Sequence, residues 1–367
     1  MNKNDIIFLG IGGTGTLITS EMIKQDERYN TFFVNTSIKD VNKVPIISNR
    51  PKYLVPYAQG TGRDRQMGKA YARDNYKNII DEIQRFRDQK NIFLVFSSSG
   101  GTGSSIAPVI ASMLTQMIED KKTHFETVNI ICTLPNLDES EDALKNSIEC
   151  WNELFDIKGI NTMYFLDNNK RSIKNVAEIN VEFAQGFNSF MNIPSLIGEN
   201  GSIDNSDLGK IVLAGGCGAF YTLPKDETST KMALVKAMKN SIFADFSSKR
   251  CSYLCTFLQE KFDEEEIQKE FVTKKEHFHE NNQEENLVIA SGFKAPKNAI
   301  EIIQMRLEEL EDNDEDEDFS ANIIEVKSSK DKKDIKSITK KGIPIQQKSD
   351  KPEDIIFDEA FWDKIMK

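Results

Sequence analysis

Apolar residues come in two rhythms along the first half of this chain. Short unbroken runs, DIIFL at 5–9, TFFVN at 31–35, NIFLVF at 91–96, TVNIIC at 127–132 and NTMYFL at 161–166, have the length of strands buried on both faces. Between them apolar positions recur with helical spacing, which predicts helices over 14–25, 66–87, 104–119 and 140–155. Strand, helix, strand in repetition predicts a parallel sheet covered on both faces, a Rossmann-like, doubly wound α/β domain. Ligands of such sheets sit beyond the carboxyl ends of the strands, so the loops there form one surface.

Three of those loops are rich in glycine. SSSGGTGSSIAPVIASML (97–114) leads into a helix marked by Ile106, Val109, Ile110, Met113 and Leu114; the pattern starts it near Ser104 or Ser105, with Pro108 in its first turn. Unlike GxxxxGK[ST], this loop has no lysine, which leaves main-chain N–H groups and the helix dipole to receive an anion. GIGGTGT (10–16) has the outline of a dinucleotide fingerprint, yet Asn35 and Thr36 end the second strand where a ribose-binding acid is required, which disfavours an NAD-dependent dehydrogenase. AQGTGRDRQMGKA (58–70) is one residue too long for a Walker motif and has Ala70 in place of the metal-binding hydroxyl. Three such turns on one sheet edge describe a pocket for several phosphates.

Composition narrows the classes. A net charge of -11 argues against a nucleic-acid-binding body. The chain has no apolar run long enough to span a bilayer and no signal-peptide layout, so the expectation is a cytoplasmic protein without membrane insertion. Cys132, Cys150, Cys217, Cys251 and Cys255 suit reduced thiols, and EHFHE (276–280) reads as a solvated helix face rather than a metal site. Acids crowd 308–318 and lysines 327–341, which predicts a disordered tail from 312; the lysine block reads as a spacer, with DNA phosphate contact as the alternative. The final DIIFDEAFWDKIMK gathers Ile355, Ile356, Phe357, Phe361, Trp362, Ile365 and Met366, with helical spacing from 357. It suits a docking peptide on a tether, or a helix folded back on its own domain.

In order along the chain, these motifs resemble the tubulin/FtsZ superfamily of GTP-dependent filament proteins. The family's GGGTGTG signature stands here as Ser99, Gly100, Gly101, Thr102, Gly103, Ser104 and Ser105, then IAPVIA; GIGGTGT is similar to its first phosphate loop, FVNTS to the segment after the second strand and GTGRD to the γ-phosphate-sensing loop. The resemblance implies GTP/GDP and Mg2+ as cofactors, with Gly12, Gly13, Thr14, Gly15, Asn35, Gly60, Thr61, Gly62 and the signature residues 99–104 around the phosphates. CTLPNLDESEDALKNSIECWNEL resembles the ribose segment, which implies Glu139 as a sugar contact, with Ala143 where the family carries arginine. FLDNN and EINVEFAQGFNSF imply Asn168 and Asn180 as guanine readers, a role for amides that both donate and accept. GSIDNSDLGKIV (201–212) resembles the NxDxxD loop that enters the next subunit's pocket. That implies Asp204 and Asp207 as catalytic acids, Ser202 replacing the leading asparagine; the same residues also suit helix capping.

The likeness covers about 1–295, with strong motifs up to 212. It implies a GTP-binding domain at 1–178, a central helix and connection at 179–200 interrupted by Pro194, a second α+β domain at 201–311, and the tail at 312–367. Expected in the second domain are a strand in KIVLAGGCGAFY, a helix over TKMALVKAMKNSIFADF, the segment CSYLCTFLQEKF, a last strand NLVIASGFK and a helix at 297–310. The signature serines, Ala143 and that last helix favour the plasmid- and phage-partition branch, TubZ, over the cell-division branch, FtsZ. By resemblance the chain is a GTPase activated by head-to-tail polymerisation with itself, its residues 350–367 engaging an adaptor that links it indirectly to DNA. The alternative of another class is a nucleotide-binding scaffold without turnover.

Overall fold

The computed structural model describes residues 1–172, 175–195, 203–282, 285–316 and 357–366. Ten strands, β1 (Ile6–Ile11), β2 (Asn30–Asn35), β3 (Lys52–Leu54), β4 (Asn91–Ser97), β5 (Thr127–Leu134), β6 (Ile160–Asp167), β7 (Gly216–Thr222), β8 (Arg250–Leu258), β9 (Val272–Asn281) and β10 (Leu287–Phe293), lie in the order β3-β2-β1-β4-β5-β6-β7-β10-β8-β9. From β3 to β7 every pairing is parallel; β10 runs antiparallel to β7 and β8, and β9 is parallel to β8. The unbroken apolar runs β1 and β4 are buried along their whole length, as a sheet covered on both faces requires.

The helices are α1 (Gly12–Gln25), α2 (Ile38–Asn42), α3 (Arg65–Ile83), α4 (Gly101–Glu119), α5 (Glu141–Asp156), α6 (Val176–Asn192), α7 (Asn205–Val212), α8 (Thr230–Lys239), α9 (Glu264–Gln268), α10 (Lys297–Asp316) and α11 (Glu359–Ile365). The chain steps one way from β1 to β2 and the other way from β4 to β5; right-handed crossovers therefore put α1 and α4 on opposite faces. α3, α4 and α5 pack side by side, and α10 covers α5. α6 joins the two halves of the sheet through aromatic rings. Phe187 lies 5.6 Å from Phe8 of β1 and 5.7 Å from Phe93 of β4, while Phe183 lies 5.7 Å from Phe220 of β7. Gly186 lets them meet, because a Cβ there would stand 2.1 Å from the Phe220 ring. Each such ring buries enough apolar surface to contribute about 2–3 kcal/mol.

Several expectations need correcting. α4 begins at Gly101, not at Ser104 or Ser105, so the glycine turn is itself the helix's first turn and Pro108 lies two turns in. KIV in 210–212 is helical, the end of α7, and the strand starts only at Gly216; the next helix stops at Lys239, because the following segment carries Phe243 to a bridge with Leu166. EHFHE belongs to strand β9, and alternation rather than helical spacing sorts its side chains. Glu276 and Phe278 meet Lys210 of α7, and Glu280 accepts from the Ile203 N–H, whereas His277 and His279 both bond the Thr256 hydroxyl at 2.9 Å. α6 ends at Asn192 and continues as a 3-10 turn, Ile193–Ser195, since Pro194 has no N–H to extend it. Most of the expected tail, 317–356, and Ser202 lie outside the described residues, but 357–366 are described and rest on the chain's own α3. Among the described residues no helix is long and apolar enough to cross a membrane, and no cluster of three or more histidine, cysteine or acidic side chains is placed to hold a metal.

Candidate active site

At the carboxyl edge of the sheet α1, α4 and α5 start without a side-chain cap, and of the three only α5 has acids, Glu141 and Asp142, in its first turn. Ser37, Asp64, Asn175, Asp204, Ser229, Asp263 and Asp358 each cap their helix with a side-chain oxygen. α1 and α4 instead begin after Ile11 and Gly100, with no side-chain cap and no acid in the first turn. Both open into one cavity of about 330 Å³, lined by Gly12, Gly13 and Thr14, by Thr36, Ser37 and Asp40, by residues 59–62, and by Ser97 and 100–103. The free N–H groups and positive dipole ends of two helices thus converge on it, an arrangement that stabilises an anion without lysine.

The loops fit only because particular residues are glycine. A Cβ on Gly101 would stand 2.1 Å from the Thr61 hydroxyl and 2.7 Å from the Arg63 Cα, and one on Gly15 would stand 2.0 Å from the Val95 carbonyl oxygen. The Thr102 hydroxyl ties three loops together, 2.7 Å from that of Thr36 and 3.5 Å from that of Thr61. Arg63 holds a left-handed backbone (φ 70°), and its guanidinium bonds Ser140 and reaches Glu139 at 3.4 Å. The cavity is thereby joined to the loop after β5.

A buried arginine braces the same loops from behind. Arg65, at the start of α3, donates from Nε to the Ser104 hydroxyl at 3.2 Å and from Nη2 to the Ser104 carbonyl at 2.9 Å. In an unbroken helix that carbonyl would accept from the N–H four residues on, but residue 108 is proline. Arg65 supplies the missing donor. Its charge is balanced by Glu149 at 2.6 Å and by Glu153, which also takes Lys69 at 2.8 Å.

Beyond β5 and β6 the edge is built from amides. Asn136 donates to the Asn168 carbonyl at 3.2 Å, Asn169 accepts from the Leu137 N–H at 2.9 Å, and Glu139 accepts from the Asn136 N–H at 3.2 Å. Asn168 and Asn180 are buried, and the Oδ1 of each has no hydrogen-bond partner among the described residues. A buried amide oxygen left unpaired costs about 1–3 kcal/mol, so a ligand edge that donates to both would recover that cost. Burial also raises the Asp167 carboxyl above its ordinary pKa, against hydrogen bonds from Asn169 that lower it.

Asp204 and Asp207 sit elsewhere. α6 starts at the carboxyl edge, beside Asn180, and its 17 residues span about 25 Å. Near its far end Asn188 accepts from Lys3, just ahead of β1, at 2.7 Å, and the Met1 amine bonds the Asn205 carbonyl at the start of α7. The acidic pair therefore lies at the amino edge of the sheet, opposite the cavity. Asp204 Oδ1 accepts from the N–H groups of Ser206 at 2.7 Å and Asp207 at 2.9 Å, and these bonds hold its carboxyl below the usual range. Asp207 faces Lys210 at 3.0 Å.

Comparison with known proteins fits this geometry. The Tubulin/FtsZ family GTPase domain is matched by residues 5–173. The Tubulin-like protein TubZ of Clostridium botulinum C phage is 31% identical over 342 residues, 92% of this chain and 92% of its own. The chain belongs to the tubulin/FtsZ family. Among solved structures, the crystal structure of Clostridium botulinum phage c-st TubZ is similar at a TM-score of 0.77 with 28% identity, covering 85% of this chain and 99% of its own. A GTPγS-form protofilament of Bacillus thuringiensis serovar israelensis TubZ shares the fold, with a TM-score of 0.72 at 16% identity over 86% of this chain and 94% of its own.

In this tubulin/FtsZ-family chain the cavity gathers Gly12, Gly13, Thr14, Gly60, Thr61, Gly62, Gly100, Gly101, Thr102 and Gly103. Gly15 and Asn35 do not line it. Gly15 serves the packing of α1 on β4, and the Asn35 amide accepts from the Ser37 N–H at 2.9 Å to hold the turn after β2. Ser99 and Ser104 also lie behind the lining, their hydroxyls bonded to Ser97 and to the Gly100 carbonyl. Asp40 also lines the cavity and is missed by motif reading, since it belongs to no glycine signature, and Gln59 lies in the 58–70 loop without having been assigned to the phosphates. Arg65 is missed as a brace, although a proline four residues after Ser104 is the signal that a carbonyl needs another donor.

Proposed function

We propose that this chain binds GTP in the cavity, assembles head to tail with copies of itself, and hydrolyses GTP at a site that two neighbours complete. The observation behind this is the separation of parts: the phosphate cavity lies at the carboxyl edge of one sheet and the acidic pair at the amino edge. One copy cannot bring them together, whereas stacking the amino edge of one chain on the carboxyl edge of the next would. In this reading the N–H groups of 12–14 and 100–103 hold the phosphates, Glu139 contacts the ribose, Asn168 and Asn180 read guanine, and Asp204 and Asp207 orient the attacking water in the neighbour's cavity. Positioning and fixed dipoles contribute most of the rate in such phosphoryl transfer. Magnesium, when bound, would neutralise charge between phosphate oxygens. Asp40 is the one acid among the described residues that lines the cavity, so phosphates and water would supply most of the ion's ligands.

Likeness to TubZ across nearly the whole chain supports a role in plasmid or phage DNA partition, with residues 350–367 as the contact for an adaptor. The shared site is tested by mixing two variants, Gly101→Ala, whose cavity stays unfilled at a GTP concentration that fills the parent's, and Asp207→Ala, defective in the acids. In an equimolar mixture about a quarter of the head-to-tail contacts join an intact cavity to an intact acidic pair, so turnover returns. No recovery, together with a parent rate per chain that does not rise with protein concentration, would refute the shared site.

A further inference from the structure

The terminal helix does not lie free. α11 is capped by Asp358, which accepts from the Phe361 N–H at 2.8 Å, and one face of the segment is half-buried: Phe357, Phe361, Trp362 and Ile365. Asp358, Glu359, Ala360, Asp363 and Lys364 are exposed. The apolar face rests on Tyr76 of α3, whose ring lies 5.7 Å from Phe357 and 5.2 Å from Trp362 at angles typical of aromatic pairs. Phe361 meets Phe357 at 4.4 Å in a tilted contact and Trp362 at 5.4 Å edge to face. One turn further on, Lys364 and Ile365 line a small cavity with Lys69, Pro108, Ser112, Glu153, Asp156 and Ile157, so the seat runs from α3 over α4 to the end of α5. Lys364 thereby enters a wall that carries two acids.

Chain length permits this in a single copy. α10 covers α5 beside the seat, and a chain of forty residues, the number from 317 to 356, is long enough at up to about 3.3 Å each to cross the width of three helices. A tether of that kind gives its end an effective concentration that a free competitor must exceed.

We propose that the face of α3, α4 and the end of α5 is the chain's own receptor for α11, a latch that closes in cis and withholds the apolar face of the terminal segment from any other partner. A partner that needs Phe361 and Trp362 then binds only the open fraction, and its apparent affinity drops by that fraction. This holds whether or not that partner is the adaptor proposed above.

The test uses the full chain and its two tryptophans. Trp151→Phe leaves Trp362 as the only reporter; where that core substitution harms folding, the spectrum of Trp362→Phe subtracted from the parent gives the same signal. With the latch closed, acrylamide quenching of Trp362 is at least twofold weaker than in the Tyr76→Ala variant, at every protein concentration. Cysteines introduced together, Ser112→Cys and Ile365→Cys, cross-link within one chain on mild oxidation, and adding Tyr76→Ala removes the cross-link. Quenching unchanged by Tyr76→Ala would overturn the proposal, and so would cross-links that form only between chains, which would make a second copy the occupant. Neither readout involves GTP turnover, so failure of the shared site leaves this result intact.

Discussion

The starts of α4 and α7 solve opposite problems with the same backbone. α4 opens on glycine, with no side-chain cap, and points its bare N–H groups into a cavity. α7 opens on Asp204, which satisfies its own N–H groups and adds negative charge, with Asp207 one turn on. The first leaves its N–H groups free to receive an anion and the second presents carboxylates, and the sheet holds them at opposite edges. A helix terminus is thus neutral ground until its cap is chosen: glycine leaves the dipole to a ligand, whereas aspartate spends it internally and turns charge outward.

The largest expected effect sets the two starts against each other. Asp207→Asn lowers GTP turnover about 10²–10⁴-fold with binding unchanged, while Gly101→Ala weakens binding about 10- to 100-fold by crowding Thr61 and Arg63. Equilibrium binding of a slowly hydrolysed GTP analogue, measured beside phosphate release, separates the two; a binding defect in Asp207→Asn would break the contrast. Next comes the support behind α4. Arg65→Met destabilises the fold by about 3 kcal/mol in urea unfolding, because the Ser104 carbonyl and Glu149 lose their partner and Glu153 is left with Lys69 alone. Pro108→Ala in the same chain restores a donor to that carbonyl and recovers about 1 kcal/mol, a coupling that a double-mutant cycle reads directly.

Smaller effects sharpen the account of α7. Asp204→Ala lowers Tm by a few degrees through loss of the cap, and Asp204→Asn keeps the cap and the Tm. If charge at this position serves turnover, both variants lose activity; activity retained by Asp204→Asn would reduce Asp204 to a cap. The last effect concerns pH and falls on the strand beneath α7. Burial, with His279 nearby, lowers the His277 pKa from 6.5 to about 4. Between those values the unfolded chain takes up a proton that the native protein refuses, so stability is level above about pH 6.5 and declines toward pH 4. His277→Gln flattens that part of the profile, and no histidine lines the phosphate cavity to give it a similar slope.

Five strands of the parallel half, β1, β2, β4, β5 and β6, were legible because they are short apolar runs, and its turns need glycine where Cβ atoms would collide; β3, three residues at the sheet's edge, has no such run and was missed. Less legible was where α4 begins, since glycine and serine look like loop residues when a ligand, and not a side chain, is to complete the helix start. β9 was misread because HFH presents one aromatic and two half-buried polar rings, a pattern that suits either period until Lys210 and Thr256 divide its faces. The glycine loops that line the cavity could be found by motif, whereas Pro108 signals in the sequence only that the Ser104 carbonyl needs another donor, and that Arg65, 43 positions before the proline, supplies it appears only in three dimensions. The seat of α11 is a tertiary contact of the same kind: its amphipathic face was plain, while Tyr76 is an ordinary helix residue until a ring rests on it.

All five cysteines are buried. Burial raises the Cys150 and Cys217 thiols to about 12, and Cys132 and Cys255 are pushed up by the same cause. At neutral pH the folded protein therefore offers maleimide reagents no thiolate, and a cysteine substituted for Asp363, on the exposed side of α11, becomes the sole point of attachment for a dye. The native protein is in effect already a cysteine-light background for single-molecule fluorescence.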